Sequence, residues 1–159
     1  MKIKVCGLRE TENIRQLQQL SIDYMGFIFY EPSSRDVSKQ DDLQELLAES
    51  WNSDIAKVGV VVNAEIDEVL NLVHDYKLDY IQLHGEESLE YIQSLHRIWD
   101  IGTMHSARII KAFSIGDDFY YEKIQAYEQF CDLSIFDTKG KNPGGNGTVF
   151  DWSLLKKYQ

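Results

Sequence analysis

Short β-branched or aromatic runs alternate with amphipathic stretches along the chain, and this alternation constrains the fold most strongly. Within the amphipathic stretches, apolar residues recur at helical spacing, as at Ile14 and Leu17. Strands that alternate with helices pair in parallel through right-handed crossovers. We predict strands at 3–6, 24–29, 57–62, 79–83, 108–112 and 133–136, and helices at 11–20, 38–49, after Asn63, after Gly85 and at 117–130.

Six β-α units are compatible with two α/β architectures. One is an open, doubly wound sheet, and the other is a (β/α)8 barrel without its last two units, since such barrels take roughly 200 residues or more. The pattern alone slightly favours the open sheet, because that architecture needs nothing further. The segment 94–107 fits the alternation least well, and we expect a loop there. No linker divides the chain, so we expect one domain over 1–159.

Composition excludes several classes of function. The 159 residues carry a formal net charge of −10, whereas a protein that binds a nucleic-acid backbone normally has a basic face. No apolar run approaches the roughly 20 residues of a membrane span, and the first residues do not resemble a signal peptide. The two cysteines form no CxxC pair. We therefore expect a cytoplasmic protein with no disulfide framework, no nucleic-acid partner and no membrane partner.

Cys6 ends predicted strand one, and Asp137 directly follows predicted strand six. Parallel α/β folds place their chemistry at the carboxyl ends of the strands. A cysteine there is most often a small buried hydrophobe, and an aspartate is most often a turn former. The functional alternative is a thiolate base and a carboxylic general acid. Because little of an ordinary thiol is ionised at neutral pH, the base would need help, for which Lys4 is the candidate.

Three further polar residues are candidates for substrate contacts. Gln82 and His84 share one face of strand four, because strand side chains alternate, and both need hydrogen-bond partners if buried. Arg35, in the loop after strand two, suits a carboxylate or phosphate, although such a residue is usually only a solvated charge. No second histidine or acid has metal-ligand spacing, so we predict no metal site. The glycines of 144–147 do not form a dinucleotide-binding fingerprint and favour a plain loop or an active-site lid.

These segments, in this order, resemble the phosphoribosylanthranilate isomerase family over essentially the whole chain. Each motif is weak alone, but the ordered set is specific. The segments that carry the resemblance are Lys4-Val5-Cys6-Gly7, Gly26-Phe27-Ile28-Phe29-Tyr30 through Arg35, Val58-Gly59-Val60-Val61-Val62-Asn63, Ile81-Gln82-Leu83-His84-Gly85-Glu86, Phe136-Asp137-Thr138-Lys139, Gly144-Gly145-Asn146-Gly147 and Phe150-Asp151-Trp152.

The resemblance implies a (β/α)8 TIM barrel and an Amadori rearrangement of N-(5-phosphoribosyl)anthranilate in tryptophan biosynthesis. It implies that Cys6 is the general base at the sugar C2 and that Asp137 is the general acid at the ring oxygen. Arg35 would hold the anthranilate carboxylate, and Gln82 and His84 would be polar wall positions near the substrate. The family's chemistry implies a small-molecule sugar-phosphate substrate and no cofactor.

The chain departs from the family pattern at three places. Asp36 stands where the family usually has an aromatic residue, and Thr148 where it often has lysine. The family continues past Phe-Asp-Trp into strands seven and eight, which carry its phosphate-binding loops. We therefore expect an incomplete, gapped barrel of about six β-α units, with self-association through open edges and negligible activity as an isolated polypeptide. The alternatives are an inactive remnant that serves as an interaction module, and an unrelated flavodoxin-like binding domain.

Overall fold

The computed structural model describes residues 1–48, 51–102, 105–116, 121–140, 153 and 155. Strands and helices alternate throughout these ranges. The strands are β1 (Lys4–Cys6), β2 (Tyr24–Ile28), β3 (Ala56–Val61), β4 (Tyr80–Leu83), β5 (Arg108–Ile115) and β6 (Leu133–Thr138), and the helices are α1 (Thr11–Leu17), α2 (Asp41–Ala48), α3 (Ile66–Asp75), α4 (Leu89–Ile101) and α5 (Tyr121–Glu128).

The six strands form one parallel sheet in the order β1-β2-β3-β4-β5-β6. Each strand therefore lies beside its sequence neighbour, and the order never reverses. A doubly wound sheet has a switch point at which the strand order reverses, and this sheet has none. The alternation alone slightly favoured an open doubly wound sheet, and that preference is thus wrong. The flavodoxin-like alternative has such a sheet and is excluded for the same reason.

The two faces of the sheet have different coverings. On the outer face, alternate strand residues such as Phe27, Ile81 and Ile109 join the buried side chains of the helices in one large apolar cluster. The inner face has a separate small cluster, centred on Val58, Tyr80 and Ile110, with no helix residue in it. Helices on one face only, with strand side chains packing against each other on the other, are the layering of a (β/α) barrel.

Among the described residues, β1 pairs only with β2, and β6 pairs only with β5. The sheet is accordingly a curved part of a barrel with two strand edges, as we expected for about six β-α units. The glycine-rich loop 144–147 and the segment 150–152 lie outside the described residues.

The sequence-based prediction of a loop at 94–107 is wrong over its first half, because α4 continues to Ile101. Ile92, Leu95 and Trp99 recur at helical spacing and are buried against the sheet, and the Ser88 side chain accepts the backbone N–H of Tyr91 at the first turn. Two strands are also longer than predicted. β5 runs to Ile115 and β6 to Thr138, so Asp137 lies inside a strand rather than after it.

Candidate functional site

A cavity of about 230 Å³ opens at the carboxyl ends of the strands, on the inner face of the sheet. All five residues that the sequence analysis singled out line it, although they come from four different elements. The lining residues are Lys4, Cys6, Ile28, Tyr30, Ser33, Arg35, Val60, Val62, Gln82, His84, Ile135 and Asp137. A larger cavity of about 730 Å³ lies at the amino ends of the strands, near Asp23 and Arg108, and contains none of the five. We place the chemistry at the carboxyl ends, where barrels carry their reactive groups.

Cys6 and Lys4 alternate along β1 and therefore face the same side of the sheet. Their partner strand leaves room for them at Gly26. A Cβ atom added at Gly26 would lie 2.7 Å from Cys6 Sγ and 2.9 Å from Lys4 Nζ, well inside contact distance. The absence of a side chain at Gly26 thus lets the thiol and the ammonium group occupy the same small region of the cavity wall.

Arg35 reaches back across the carboxyl end of β1. Its Nη1 donates to the Cys6 carbonyl oxygen at 3.4 Å, and a Cβ atom at Gly7 would lie 2.7 Å from both Nη1 and Cδ of Arg35. Gly7 also has a φ of +82°, a conformation that favours glycine. Gly7 therefore serves two purposes, because it turns the chain after β1 and admits the guanidinium group beside Cys6.

Asp36 fixes the loop that carries Arg35. Its Oδ1 accepts the backbone N–H groups of Tyr30 at 2.9 Å and Ser38 at 3.3 Å, and its Oδ2 accepts the Ser38 hydroxyl at 2.6 Å. One carboxylate thus joins the beginning and the end of the loop. The Asp36 carboxylate thereby holds the loop that carries Arg35 at the rim of the cavity.

Gln82, His84 and Asp137 form a line across the cavity wall. The Gln82 Nε2 atom lies 3.2 Å from His84 Nδ1, and His84 Nε2 lies 3.2 Å from Asp137 Oδ2. The other carboxylate oxygen of Asp137 accepts the backbone N–H of Thr138 at 2.8 Å. Burial lowers the pKa of His84, although Asp137 opposes this shift, so the imidazole is neutral near neutral pH.

The sequence analysis missed a second polar cluster, directly behind this wall. Lys111 of β5 points into the sheet–helix layer, where its Nζ donates to Glu87 Oε2 at 3.0 Å and to the carbonyl oxygens of Gly85 at 2.8 Å and Ala112 at 3.0 Å. Glu87 in turn accepts the backbone N–H groups of Gly85 and Asn63. The cluster ties the carboxyl ends of β3 and β4 to the middle of β5.

A signal for this cluster was present in the sequence. Lys111 interrupts an otherwise apolar strand, as Lys4 does in β1. A buried ammonium group needs an anionic partner and carbonyl acceptors, so an acid in the preceding β-α loop could have been sought. Tyr30 and Ser33, which also line the cavity, carry no such signal, because loop residues of these types are common at any surface.

Within the described ranges, no group of three or more histidine, cysteine, aspartate or glutamate side chains is arranged to hold a metal ion.

The helices of the described segments include none with the length and apolar character required to cross a membrane.

Comparison with known sequences gives a consistent result. A model of the N-(5'-phosphoribosyl)anthranilate isomerase family matches residues 3–159. A relative of that name from Parabacteroides distasonis is 42% identical over 159 residues, which are 100% of this chain and 68% of the relative. Another from Phocaeicola vulgatus is 38% identical, and the match covers 100% of this chain and 71% of the relative.

Solved structures with the same fold include phosphoribosyl anthranilate isomerase from Thermotoga maritima, with a TM-score of 0.81 and 28% identity. That match covers 99% of this chain and 71% of the other. A structure of the enzyme in complex with reduced 1-(o-carboxyphenylamino)-1-deoxyribulose 5-phosphate has a TM-score of 0.77 and 27% identity, over 99% of this chain and 69% of the other. The resemblance found in the sequence motifs is thereby confirmed, and the chain belongs to the N-(5'-phosphoribosyl)anthranilate isomerase family.

Proposed function

We propose that this chain provides the catalytic face of an isomerase that converts N-(5'-phosphoribosyl)anthranilate into 1-(2-carboxyphenylamino)-1-deoxyribulose 5-phosphate in tryptophan biosynthesis. The observation that carries the proposal is the shared cavity of Cys6 and Asp137, which come from opposite edges of the described sheet. The family membership and the ligand of the related complex support the same reaction.

The rearrangement needs one acid and one base. Asp137, in its protonated form, gives its proton to the sugar ring oxygen as the C1–O bond breaks, and the anilino nitrogen lone pair forms the C1=N bond of the open-chain iminium. The Cys6 thiolate then removes the C2 proton, and the C2–H electron pair forms a C1=C2 enolamine. Protonation at C1 and loss of the enol proton give the ketose. General acid and base groups of this kind each contribute roughly 10²–10⁴-fold to a rate.

Other lining residues take the binding roles. We assign the anthranilate carboxylate to Arg35, because guanidinium binds a carboxylate in a planar, bidentate geometry. Gln82 and His84 form the polar wall beside the sugar, and Lys4 lies on the same side of β1 as Cys6. No step in this scheme requires a cofactor.

We further propose that residues 1–159 form one domain, that the protein is cytoplasmic, and that it has no nucleic-acid or membrane partner. The net charge of −10 supports the absence of a nucleic-acid partner. As an isolated polypeptide, the 159 residues would self-associate through the edges of β1 and β6, which have no further strand partner in the described part of the chain.

The proposal is tested in a full-length barrel, which we define as residues 1–159 joined to the part of the Parabacteroides relative that the chain does not cover. Substrate and product are separated by chromatography. Cys6→Ser and Asp137→Asn should each reduce kcat by at least about 10². Thr138→Ser, a conservative change beside Asp137, is the control and should retain turnover. A full-length barrel without turnover, or a Cys6 or Asp137 variant with nearly normal kcat, would overturn the proposal.

A further inference from the structure

We propose that Asp36 is a positioning residue for the carboxylate of the substrate, and that it acts by fixing the loop that presents Arg35. This inference rests on the proposed function, because it deepens the assignment of that carboxylate to Arg35. It is built on hydrogen bonds whose direction is fixed by chemistry, since each donor is a backbone N–H or a hydroxyl group and each acceptor is a carboxylate or carbonyl oxygen.

The backbone of Asp36 is fixed against β2. Asp36 forms a parallel bridge with Ile28, and the N–H of Val37 donates to the Ile28 carbonyl oxygen at 2.9 Å. Two residues earlier on the same side of β2, the N–H of Gly7 donates to the Gly26 carbonyl oxygen, also at 2.9 Å. The segment that contains Asp36 therefore lies beside β2 where β1 has ended, and the residue before it lies next to the carboxyl end of β1.

The side chain of Asp36 closes the loop at both ends. Its Oδ1 accepts the backbone N–H groups of Tyr30, just after β2, and of Ser38, shortly before α2, and its Oδ2 accepts the Ser38 hydroxyl. Arg9 also contacts the loop, because its Nη1 donates to the Ser34 carbonyl oxygen at 2.8 Å. That bond holds only the middle of the loop, whereas the bonds of Asp36 connect its two ends.

The Arg35 side chain has few restraints of its own. Its Nη1 donates to the Cys6 carbonyl oxygen at 3.4 Å, which is long for a hydrogen bond, and its Nη1 and Cδ lie over Gly7, each 2.7 Å from where a Cβ would stand. A long, exposed side chain loses rotational freedom when it binds a ligand, and a fixed backbone reduces that loss. The direction of the guanidinium group therefore depends on the loop that Asp36 closes.

The bonds of Asp36 also leave the charge of Arg35 available to a ligand. Both carboxylate oxygens accept hydrogen bonds from the loop, and within the described ranges no hydrogen bond or ion pair joins Asp36 to the guanidinium group. The negative charge of Asp36 repels an anionic ligand, so its charge alone would weaken the binding of a carboxylate. A loss of affinity when Asp36 is removed would therefore come from the loop and not from the charge.

The test uses the full-length barrel, with the reduced 1-(o-carboxyphenylamino)-1-deoxyribulose 5-phosphate of the related complex as the probe. Calorimetry measures the dissociation constant of the probe, and turnover of the substrate gives kcat and KM. We expect Asp36→Ala to raise the dissociation constant and KM about tenfold each, the scale of losing hydrogen bonds to a charged group, while kcat changes less than about threefold. Asp36→Asn keeps an oxygen for the two N–H groups and can still bond the Ser38 hydroxyl, so it should recover most of the affinity.

A double-mutant cycle shows whether Asp36 acts through Arg35. In an Arg35→Ala background, Asp36→Ala should change the dissociation constant of the probe by less than about twofold, because the loop then presents no guanidinium group. Glu31→Ala is the matched control in the wild-type background. It removes an acid from the same loop, but the ion pair of Glu31 with Lys39 is exposed, so affinity should be unchanged or slightly higher.

Hydrogen exchange of backbone amides reports on the loop without any ligand. In Asp36→Ala, the N–H of Tyr30 loses its acceptor and should exchange faster, and so should the N–H of Arg35, which donates to Ser33 Oγ within the same loop. In Asp36→Asn both should stay protected. Unchanged exchange at Arg35 in Asp36→Ala would show that the loop does not depend on the carboxylate, and would overturn the inference.

The binding data give further outcomes that decide the inference. Equal or tighter binding in Asp36→Ala would overturn it, and so would a loss that persists in full in the Arg35→Ala background. If Asp36→Ala does not fold, Ser38→Ala removes the hydroxyl bond alone and should weaken binding about two- to threefold, and unchanged binding there would also overturn the inference.

The same measurements separate this inference from the proposed function. A barrel that binds the probe with the expected cycle but has no turnover would refute the proposed reaction and leave the role of Asp36 standing. Normal turnover with an unchanged KM in Asp36→Ala would refute the role of Asp36 and leave the reaction standing. A barrel with neither turnover nor probe binding would overturn both.

Discussion

Lys111 Nζ lies 3.0 Å from Glu87 Oε2, and the two side chains are only 4% and 1% exposed. Four acceptors surround the ammonium group, and two backbone N–H groups satisfy the carboxylate. A buried ion pair is tolerated only when its remaining hydrogen bonds are made in this way. Because these bonds go to the loop that follows β4, the pair holds in place the chain immediately after His84.

Removing one partner of this pair should be strongly destabilising. In Lys111→Met, the Glu87 carboxylate would remain buried without its cation, and we expect the free energy of unfolding to fall by about 3–5 kcal/mol. Urea unfolding followed by circular dichroism measures the change. Lys39→Met is the matched control, since Lys39 pairs with Glu31 at an exposed site and its loss should change the free energy of unfolding little. Equal losses in the two variants would contradict the prediction.

Gly26 should be essential for the geometry of the site. Alanine at this position would place its Cβ 2.7 Å from Cys6 Sγ and 2.9 Å from Lys4 Nζ, so both side chains would have to move. Since displacements of about 1 Å at a reacting group can cost about 10² in rate, we expect Gly26→Ala in the full-length barrel to lose about that factor in kcat.

Gly59→Ala provides the control for this variant. A Cβ at Gly59 would lie 2.5 Å from Leu78 Cδ1, a contact in the sheet–helix layer away from the cavity. It should lower the free energy of unfolding while the folded protein keeps its kcat. If Gly26→Ala retains normal kcat, or if both variants lose kcat equally, the proposed crowding of Cys6 and Lys4 is wrong.

The fold could be predicted from the sequence to the level of its six strands, because hydrophobic periodicity is a local property. The placement of Gln82 and His84 on one face of the sheet could also be predicted, because it depends only on the alternation of side chains along a strand. Local pattern did not decide between a doubly wound sheet and a barrel. That choice depends on which faces the helices cover and on an unbroken strand order, and both are properties of the assembled sheet.

The local sequence pattern could not predict the contacts within the site, for the same reason. His84 and Asp137 are 53 residues apart, and their hydrogen bond requires β5 to lie between β4 and β6 with a particular register. The Lys111–Glu87 pair likewise joins two elements that are separated by a whole helix. The missed extension of α4 is different, because Ile92, Leu95 and Trp99 already had helical spacing in the sequence, so this part of the helix could have been predicted.

Arg35 should act mainly in binding. Its guanidinium lies at the rim of the cavity beside Cys6, where it can reach a substrate carboxylate without taking part in proton transfer. Arg35→Ala should therefore raise KM in the full-length barrel while kcat changes much less, and Arg35→Lys should recover little, because lysine lacks the bidentate geometry. Arg97→Ala, on the exposed face of α4, is the control. A large fall in kcat with unchanged KM would contradict this role.

His84 should make the stability of the fold depend on pH. Burial lowers its pKa in the folded chain, whereas in the unfolded chain it titrates near its ordinary value of about 6.5. Below that pH the unfolded state binds more protons than the folded state, so the free energy of unfolding should fall as pH decreases from about 7.5 through 6.5 and down to the folded pKa. The stability that neutral His84 contributes is fully present well above the unfolded pKa, and it is lost as the pH falls through the unfolded pKa to the folded pKa.

Urea unfolding at a series of pH values measures this dependence. His84→Asn should remove the part of the slope that His84 contributes and leave a flatter profile between pH 7.5 and the onset of carboxylate titration. His74→Asn is the control, because His74 is exposed and the described contact of its ring is with its sequence neighbour Asp75. An unchanged slope in His84→Asn, or an equal flattening in His74→Asn, would contradict the prediction.

The final prediction concerns the association of the isolated 159-residue polypeptide. In the described part of the chain, β1 and β6 each have one edge without a strand partner, and such edges are templates for pairing with another chain. Light scattering coupled to size exclusion should therefore give a mass that rises above 18.5 kDa with concentration.

Leu133→Lys places a charge at the start of β6 and should reduce the association, because a charged edge is poorly paired. Ile101→Lys removes a more exposed apolar side chain at the end of α4 and should have little effect if the strand edges are responsible. A monomeric mass at every concentration, or a loss of association only in Ile101→Lys, would show that the strand edges do not mediate it.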